Sequence, residues 1–160
     1  MPMTWQYIIR YLWKRRYNDG RPEYLKGLTY VKKVFTFEEI YGIGSQIFDV
    51  LEYLHRRNVV HGDISVANIT YDGEKIGLLD FGLARYADGQ NIRFSLDYAC
   101  AANVLLYLLY SGYEGKGTLP WSEELLLSDE QKEFLKELLD PEMVFENACE
   151  AKQRFHRCFA

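Results

Sequence analysis

The sequence predicts one mainly α-helical domain that also contains a small β-hairpin. Three observations predict this class: apolar residues recur at helical spacing, two capping boxes mark helix starts, and an Asp-Gly pair separates two short extended runs. The chain has 160 residues, enough to bury a core, and 48% of them are hydrophobic and 16% aromatic. This composition excludes a disordered or fibrous chain, because so much aromatic surface would not stay in water.

The first predicted helix covers residues 5–17 and is amphipathic. Its apolar residues are spaced i, i+3, i+4, i+7 and i+8 and therefore share one face: Trp5, Ile8, Ile9, Leu12 and Trp13. Residues 21–35 are expected to form a connection with a short strand at 28–31.

The second predicted helix begins at a capping box. The Thr36 hydroxyl can accept a hydrogen bond from the Glu39 amide, while the Glu39 side chain reaches back to the Thr36 amide. Apolar residues then continue at helical spacing to about Arg57: Ile40, Ile43, Ile47, Leu51 and Leu54.

Extended structure is predicted after this helix. Val59 and Val60 begin it, and residues 68–71 and 75–79 flank Asp72-Gly73, a dipeptide that favours tight hairpins. A polar loop to about Phe94 should follow the hairpin.

A buried helix is predicted over residues 95–110. The longest apolar run, 98–110, has 13 residues and is broken only by Asn103, so it is shorter than the roughly 20 residues that span a bilayer. Ser111 and Gly112 should stop this helix, and a glycine-rich loop follows through Pro120.

Two more helices are predicted towards the C-terminus. Ser128 and Gln131 form a second capping box, and the helix that it opens should end before Pro141. Its apolar side consists of Phe134, Leu135, Leu138 and Leu139. Residues 143–160 are expected to add one further helix.

The cysteines and the N-terminus indicate the compartment. Cys100, Cys149 and Cys158 lack the paired spacing of a zinc site or a disulfide scaffold. The first apolar stretch is broken by basic residues and has no cleavage site of a secretory signal. We therefore expect a cytoplasmic protein with no transmembrane segment.

Charge is segregated along the chain. Residues 1–33 hold eight basic and two acidic groups, although the whole chain has a formal net charge of −4. This basic segment could attract a polyanion such as nucleic acid, or it could be only a solvated helix face.

One motif carries the chemistry. Residues 61–68 have the spacing H-x-D-x-x-x-x-N, and Asp80-Phe81-Gly82 follows across the predicted hairpin. This arrangement resembles the catalytic and metal-binding loops of the protein kinase family, and Asp97 matches the buried aspartate that anchors the catalytic loop in that family. The fold that the resemblance implies is a kinase-like C-terminal lobe.

The resemblance also implies an ATP-dependent phosphotransferase that uses Mg²⁺. Asp63 would accept or orient the proton of the acceptor hydroxyl, and Asn68 and Asp80 would ligate the metal. Ser65 stands at the catalytic position of the lysine that neutralises the transferred phosphate.

Three further residues belong to the implied nucleotide site. Thr70 occupies the position of the usual apolar floor under adenine, Phe81 would be an apolar packing residue, as would His61, and Gly82 would permit the backbone turn.

The sequence departs from the family pattern in three places. Gly62 replaces the arginine that reads a phosphorylated activation loop. Only 14 residues separate Gly82 from Asp97, and no A-P-E follows. The Asp140-Pro141 motif also lacks the arginine that pairs with the A-P-E glutamate. We therefore expect the peptide-docking platform to be missing.

The N-terminal part departs furthest. Only 35 residues precede Thr36, and they contain neither a G-x-G-x-x-G loop nor a V-A-I-K lysine. We expect a single domain over 1–160 without the N-terminal β lobe, made of a basic helix and linker (1–35) and a catalytic-loop core (36–160). A second copy or a partner protein would then cover the face that this lobe covers in the family.

The function predicted from these features is a serine/threonine-type protein kinase-like phosphotransferase. The H-G-D form and the short segment after Gly82 are also similar to the small kinase of the KEOPS complex and to lipopolysaccharide and aminoglycoside phosphotransferases, so a small-molecule acceptor stays open. A pseudokinase, or a nucleotide-binding regulatory or scaffold module, is the alternative that does not require catalysis.

Overall fold

The computed structural model describes residue 28 and residues 33–87, 94–142 and 145–160. The helix predicted over 5–17 and most of the predicted connection at 21–35 lie outside these residues, as does the middle of the polar loop before Phe94. The described elements are, in chain order, α1 (Phe37–His55), β1 (Val59–Val60), β2 (Ile69–Tyr71), β3 (Ile76–Leu78), β4 (Arg85–Tyr86), α2 (Ser95–Tyr110), α3 (Trp121–Glu124), α4 (Asp129–Leu139) and α5 (Ala148–Phe159). The mainly helical class is confirmed.

Helix α1 begins at the predicted capping box. The Glu39 amide donates to Thr36 Oγ1 at 3.2 Å, and the Thr36 amide donates to Glu39 Oε2 at 2.9 Å. The five predicted apolar positions are all buried. The helix ends at His55, two residues before the predicted end at Arg57.

An aromatic cluster joins α1 to α5. The Phe48 and Phe155 rings are 5.1 Å apart, and Phe155 stacks on Phe159 at 5.0 Å. Gly44 of α1 faces Phe155 so closely that a Cβ atom at this position would lie 2.3 Å from its Cζ atom. The absence of a side chain at Gly44 therefore allows the two helices to approach each other.

The predicted hairpin is present, and α1 holds it. Strands β2 and β3 are antiparallel and pair Ile69 with Leu78 and Tyr71 with Ile76. The Gln46 side chain on α1 donates to the Glu74 carbonyl at 2.9 Å and accepts from the Ile76 amide at 3.0 Å. These bonds fix the turn end of the hairpin against the helix.

A second strand pair was not predicted. Strand β1 pairs antiparallel with β4, with Val59 opposite Tyr86. Sequence patterning missed β4 because its two residues are exposed and have no alternating apolar pattern. The pairing brings the chain after Gly82 back beside the start of the catalytic loop.

Helix α2 has the predicted bounds and lies between α1 and α4. Helix α4 begins at the predicted capping box of Ser128 and Gln131. Helix α5 is shorter than the predicted 143–160, because Asn147 caps it and Ala148 is its first residue. The short α3 was not predicted, since four residues are too few to show a periodic pattern. None of the helices in the described residues is long and apolar enough to span a bilayer.

The close approach at Gly44 can be tested. Replacing Gly44 with Ala should lower the free energy of unfolding by about 1–3 kcal/mol, because the new methyl group must displace the Phe155 ring. The measurement is urea-induced unfolding followed by circular dichroism.

Gly42, on the same helix, is the matched control. Nothing lies within 4 Å of a Cβ atom placed there, so Gly42→Ala should raise the free energy of unfolding by about 0.5–1 kcal/mol through helix propensity. Equal stability of the two variants would contradict this account of the helix contact.

Candidate active site

The catalytic loop, residues 61–68, runs between β1 and β2 and is fixed to the buried carboxylate of Asp97. Asp97 is 0% exposed. Its Oδ2 accepts a hydrogen bond from the His61 amide and its Oδ1 one from the Gly62 amide, both at 2.9 Å. Bonds from N–H groups to an ionised carboxylate are among the strong ones, and they offset the cost of burying it. The anchoring role that the resemblance gives to Asp97 agrees with this geometry.

His55, at the end of α1, completes the anchor. Its Nε2 lies 3.0 Å from Asp97 Oδ2, and because a carboxylate only accepts, this nitrogen carries the donated proton. The ring packs 4.2 Å from Phe94 and 5.3 Å from Tyr98. The other ring nitrogen, Nδ1, is buried and has no hydrogen-bond partner within the described ranges.

His61 is neutral and links the loop to the hairpin. Its Nδ1 accepts from the Asp63 amide at 3.1 Å, and its Nε2 therefore donates to the Leu79 carbonyl at 3.2 Å. Burial lowers the pKa of His61, although the charge of Asp97 acts in the opposite direction. The ring also packs edge-on against Phe81 at 4.6 Å.

Asp63 and Asn68 lie in direct contact. Asn68 Nδ2 donates to Asp63 Oδ2 at 2.9 Å and to the Asp63 carbonyl at 3.0 Å. Both amide protons of Asn68 are used in this way, so its side-chain oxygen stays available as an acceptor. The same contact fixes the Asp63 carboxylate and leaves its Oδ1 without a hydrogen bond from the described residues.

Asp80 is brought to the same region by the hairpin. The Leu79 amide donates to the Asn68 carbonyl at 2.7 Å, so Asn68 and Asp80 flank the open end of the β2–β3 pair. Asp80 has a φ of 52°, a left-handed conformation that is uncommon for a residue with a side chain. Its Oδ1 accepts from the Gly82 amide at 3.0 Å, which tightens the turn at residues 80–82.

The remaining predicted site residues lie on the loop and the hairpin. Ser65 is half-buried, and its carbonyl accepts from the Asn68 amide at 3.0 Å. Thr70 is 7% exposed within β2, and its hydroxyl makes a long 3.4 Å bond to the Gly77 carbonyl. The nucleotide-site roles of Ser65 and Thr70 stay predictions.

Two neighbours of the loop were not assigned a role from the sequence. His55 was part of the motif-bearing helix, but nothing in its spacing indicates a bond to Asp97. Cys100 lies one turn beyond Asp97, and burial, followed by the charges of Asp97 and Asp63, raises the pKa of its thiol. The contact of His55 with Asp97 arises from the packing of two helices, so no local sequence signal could have revealed it, whereas the i, i+3 spacing of Asp97 and Cys100 on one helix was visible in the sequence.

Comparison with known families identifies the arrangement. The model of the protein kinase domain family matches residues 17–122 of the chain. The chain belongs to the protein kinase domain family. The matched range includes the catalytic loop, the hairpin, Asp80-Phe81-Gly82 and helix α2 of the kinase domain.

Individual relatives agree with this assignment. The kinase domain is 34% identical over 139 residues to a probable serine/threonine-protein kinase, YbdM, of Bacillus subtilis, which covers 81% of this chain and 54% of the relative. It is 28% identical over 141 residues to a probable bifunctional tRNA threonylcarbamoyladenosine biosynthesis protein of Methanosarcina barkeri, covering 88% of this chain and 22% of the relative. Calcium-dependent protein kinase 3 of Plasmodium yoelii yoelii is 32% identical over 146 residues, with 65% of this chain and 27% of the relative covered. The chain thus spans about half or less of the length of these relatives.

Removing the charge of Asp97 should destabilise the kinase domain. Asp97→Asn keeps the size of the side chain but turns an N–H group towards a backbone N–H, so we expect a loss of about 1–3 kcal/mol in the free energy of unfolding. Glu114→Gln removes the same charge at an exposed position and should change stability by less than about 0.5 kcal/mol. Chemical denaturation of the two variants beside the unsubstituted chain measures the difference, and equal losses would contradict the anchor.

The pKa of His61 predicts a pH dependence of stability. Because folding lowers this pKa below its ordinary value of 6.5, the unfolded chain binds the proton more tightly. The contribution of neutral His61 to the free energy of unfolding is fully present above pH 6.5. It is lost as the pH falls towards the pKa of His61 in the folded chain. His61→Gln should therefore show a smaller loss of unfolding free energy between pH 7.5 and 5.5, which urea-induced unfolding at the two pH values measures.

Proposed function

We propose that the kinase domain transfers the γ-phosphoryl group of ATP to a hydroxyl acceptor, with Asp63 as the catalytic carboxylate. The observation that carries the proposal is the contact between Asp63 and Asn68, on a loop whose backbone is fixed to Asp97. A held carboxylate with one uncommitted oxygen is suited to orient an attacking hydroxyl and to take its proton. Phosphoryl transfer asks for such positioning more than for covalent chemistry by the protein.

The proposed transfer forms one bond to phosphorus and breaks another. The acceptor oxygen forms a bond to the γ-phosphorus, and the bond from that phosphorus to the bridging oxygen of ADP breaks. The hydroxyl proton goes to Asp63 Oδ1, and ADP leaves with the electron pair of the broken bond. Asn68 keeps Asp63 in place throughout, because its two N–H groups are already committed to Asp63.

Asn68 and Asp80 fit the requirements of a Mg²⁺ site. The free side-chain oxygen of Asn68 and the Asp80 carboxylate are the hard oxygen donors that this ion prefers. Within the described segments no three His, Cys, Asp or Glu side chains are grouped as a metal site, so phosphate oxygens and water would have to supply the other ligands. Bound there, the ion would neutralise the charge of the phosphates.

The remaining predicted residues would complete the nucleotide site. Ser65 would lie beside the transferred phosphate, Thr70 would contact the base, and Phe81 and Gly82 would keep Asp80 in its turn. The packing of Phe81 on His61 and the bond from the Gly82 amide to Asp80 support the last two roles.

A serine or threonine hydroxyl of a protein is the acceptor that we favour. The support is that two of the relatives above are named as protein kinases. The short segment between Gly82 and Asp97 supports a small-molecule acceptor instead, and an acceptor screen would distinguish the two. We also propose that a second copy or a partner protein covers the nucleotide, and that the protein acts in the cytoplasm.

Asp63→Asn should lower the transfer of labelled phosphate from ATP by at least about 100-fold, because the side chain keeps its size but loses the proton acceptor. Binding of Mg-ATP, measured by calorimetry, should be retained, since Asp63 is not a proposed metal ligand. Asp80→Asn should weaken both transfer and Mg-dependent binding.

Three outcomes separate the candidate functions. Equal transfer by the original chain and Asp63→Asn would contradict the catalytic assignment. Binding of Mg-ATP without transfer to any acceptor would favour the pseudokinase. Binding that does not depend on Mg²⁺ or on Asp80 would remove the metal assignment.

A further inference from the structure

A cavity of about 890 Å³ lies between the end of α1, the start of α2 and the start of α5. This volume falls in the range of small-molecule sites, about 300–1,000 Å³. None of the proposed phosphotransfer residues lines it. The cavity is therefore separate from the site described above, although His55 and Tyr98 in its wall lie on either side of Asp97.

Part of the cavity wall is aromatic. Tyr98 and Phe145 are 4% and 5% exposed, and their rings meet edge-on at 5.0 Å. Phe94 covers His55 at 4.2 Å, and Pro141 and Ala148 add further apolar surface. Such a wall can take the apolar body of a ligand.

Polar groups in this wall lack partners. The Tyr98 hydroxyl makes no hydrogen bond with the described residues, although the side chain is almost fully buried. Burial raises the pKa of Tyr98, so the hydroxyl stays protonated and can both donate and accept. His55 Nδ1 is also without a partner there. The Tyr98 hydroxyl is therefore available to a ligand in the cavity, whereas His55 Nδ1 is fully buried and out of reach of one.

The described residues that line the cavity carry a net negative charge. Arg56 is paired with Glu52 at 2.8 Å, and Lys152 also binds Glu52, at 3.2 Å. Glu146 and Glu150 also line the cavity, and no cation of the described residues pairs with either of them. Glu150 Oε2 accepts from the Glu146 amide at 2.6 Å, which places this carboxylate at the start of α5.

We propose that this cavity binds a small organic cation, with an ammonium or guanidinium group at Glu150 and the Tyr98 hydroxyl and an aromatic or aliphatic body against Phe145. Glu146 and Glu150, which have no cationic partner among the described residues, supply the charge complementarity, and the aromatic side chains also favour a nearby cation. The volume fits a small molecule. Because the wall includes His55 and Tyr98, bound cation should also stabilise the folded chain against heat.

Charge preference is tested on the full chain by calorimetry with three probes of similar size. The probes are 2-phenylethylammonium, neutral 2-phenylethanol and the anion 3-phenylpropionate. We expect the cation to bind at least about tenfold more tightly than the alcohol, and the anion to bind most weakly. Equal affinities for cation and alcohol, or no saturable binding of the cation, would overturn the proposal.

The location is tested through Cys149, which lines the cavity, whereas Cys158 does not. Saturating 2-phenylethylammonium should slow alkylation of Cys149 by N-ethylmaleimide at least about fivefold and leave Cys158 unchanged. Unprotected Cys149, or equal protection of both thiols, would overturn the location. This measurement uses the unsubstituted chain and so does not depend on the folding of any variant.

The carboxylate is tested with Glu150→Gln, which keeps an oxygen to accept from the Glu146 amide. This substitution should lower the affinity for 2-phenylethylammonium at least about fivefold and leave the affinity for 2-phenylethanol unchanged. Glu123→Gln on α3 is the matched control, because Glu123 does not line the cavity. Unchanged binding of the cation to Glu150→Gln, or an equal loss in the control, would overturn the assignment. Neither readout requires phosphotransfer, so failure of the proposed function would leave this test intact.

Discussion

The buried carboxylate of Asp97 is the constraint on which the active region depends. Two backbone amides of the catalytic loop and the His55 ring all donate to it. A loop of eight residues has few apolar contacts of its own, so its backbone needs fixed partners to keep one conformation. Asp97 supplies them from the middle of the fold, because α2 packs against both α1 and α4.

Short β structure places the functional groups around this anchor. The β2–β3 hairpin sets Asp80 beside Asn68, and the β1–β4 pair returns the following segment to the start of the loop. Asp80 and Gly62 are among the residues with a positive φ, at 52° and 84°. At Gly62 a Cβ atom would lie 3.0 Å from the Leu83 carbonyl oxygen. Glycine therefore avoids both the strain of a positive φ and this close contact. Backbone strain of this kind persists only where the packing of the surrounding structure maintains it, and it is often found at functional sites.

The active region and the proposed cation cavity share part of their walls. His55 donates to Asp97 on one side and lines the cavity on the other, and Tyr98 is the next residue along α2. The cavity is also bordered by two of the places where the sequence departs from the family pattern. Phe94 and Ser95 end the short segment after Gly82, and Pro141 belongs to the motif that lacks its arginine. These departures thus coincide with an accessible space beside the catalytic anchor.

The sequence by itself determined those features that depend on neighbouring residues. The capping boxes at Thr36 and Ser128 set the starts of α1 and α4, and Asp72-Gly73 set the hairpin turn, because these signals act over three or four residues. The spacing of Asp63, Asn68 and Asp80 was sufficient to indicate the family.

Only the tertiary structure decided which distant groups meet. Strand β4, the bond between His55 and Asp97, the approach of Phe155 to Gly44 and the cavity beside Tyr98 all join residues far apart in the chain. Such contacts depend on how whole helices pack. The apolar face of a helix shows which side is buried, but it does not show which other helix covers that side. The sequence therefore determined the elements and the chemical groups, and helix packing decided the geometry in which those groups can act.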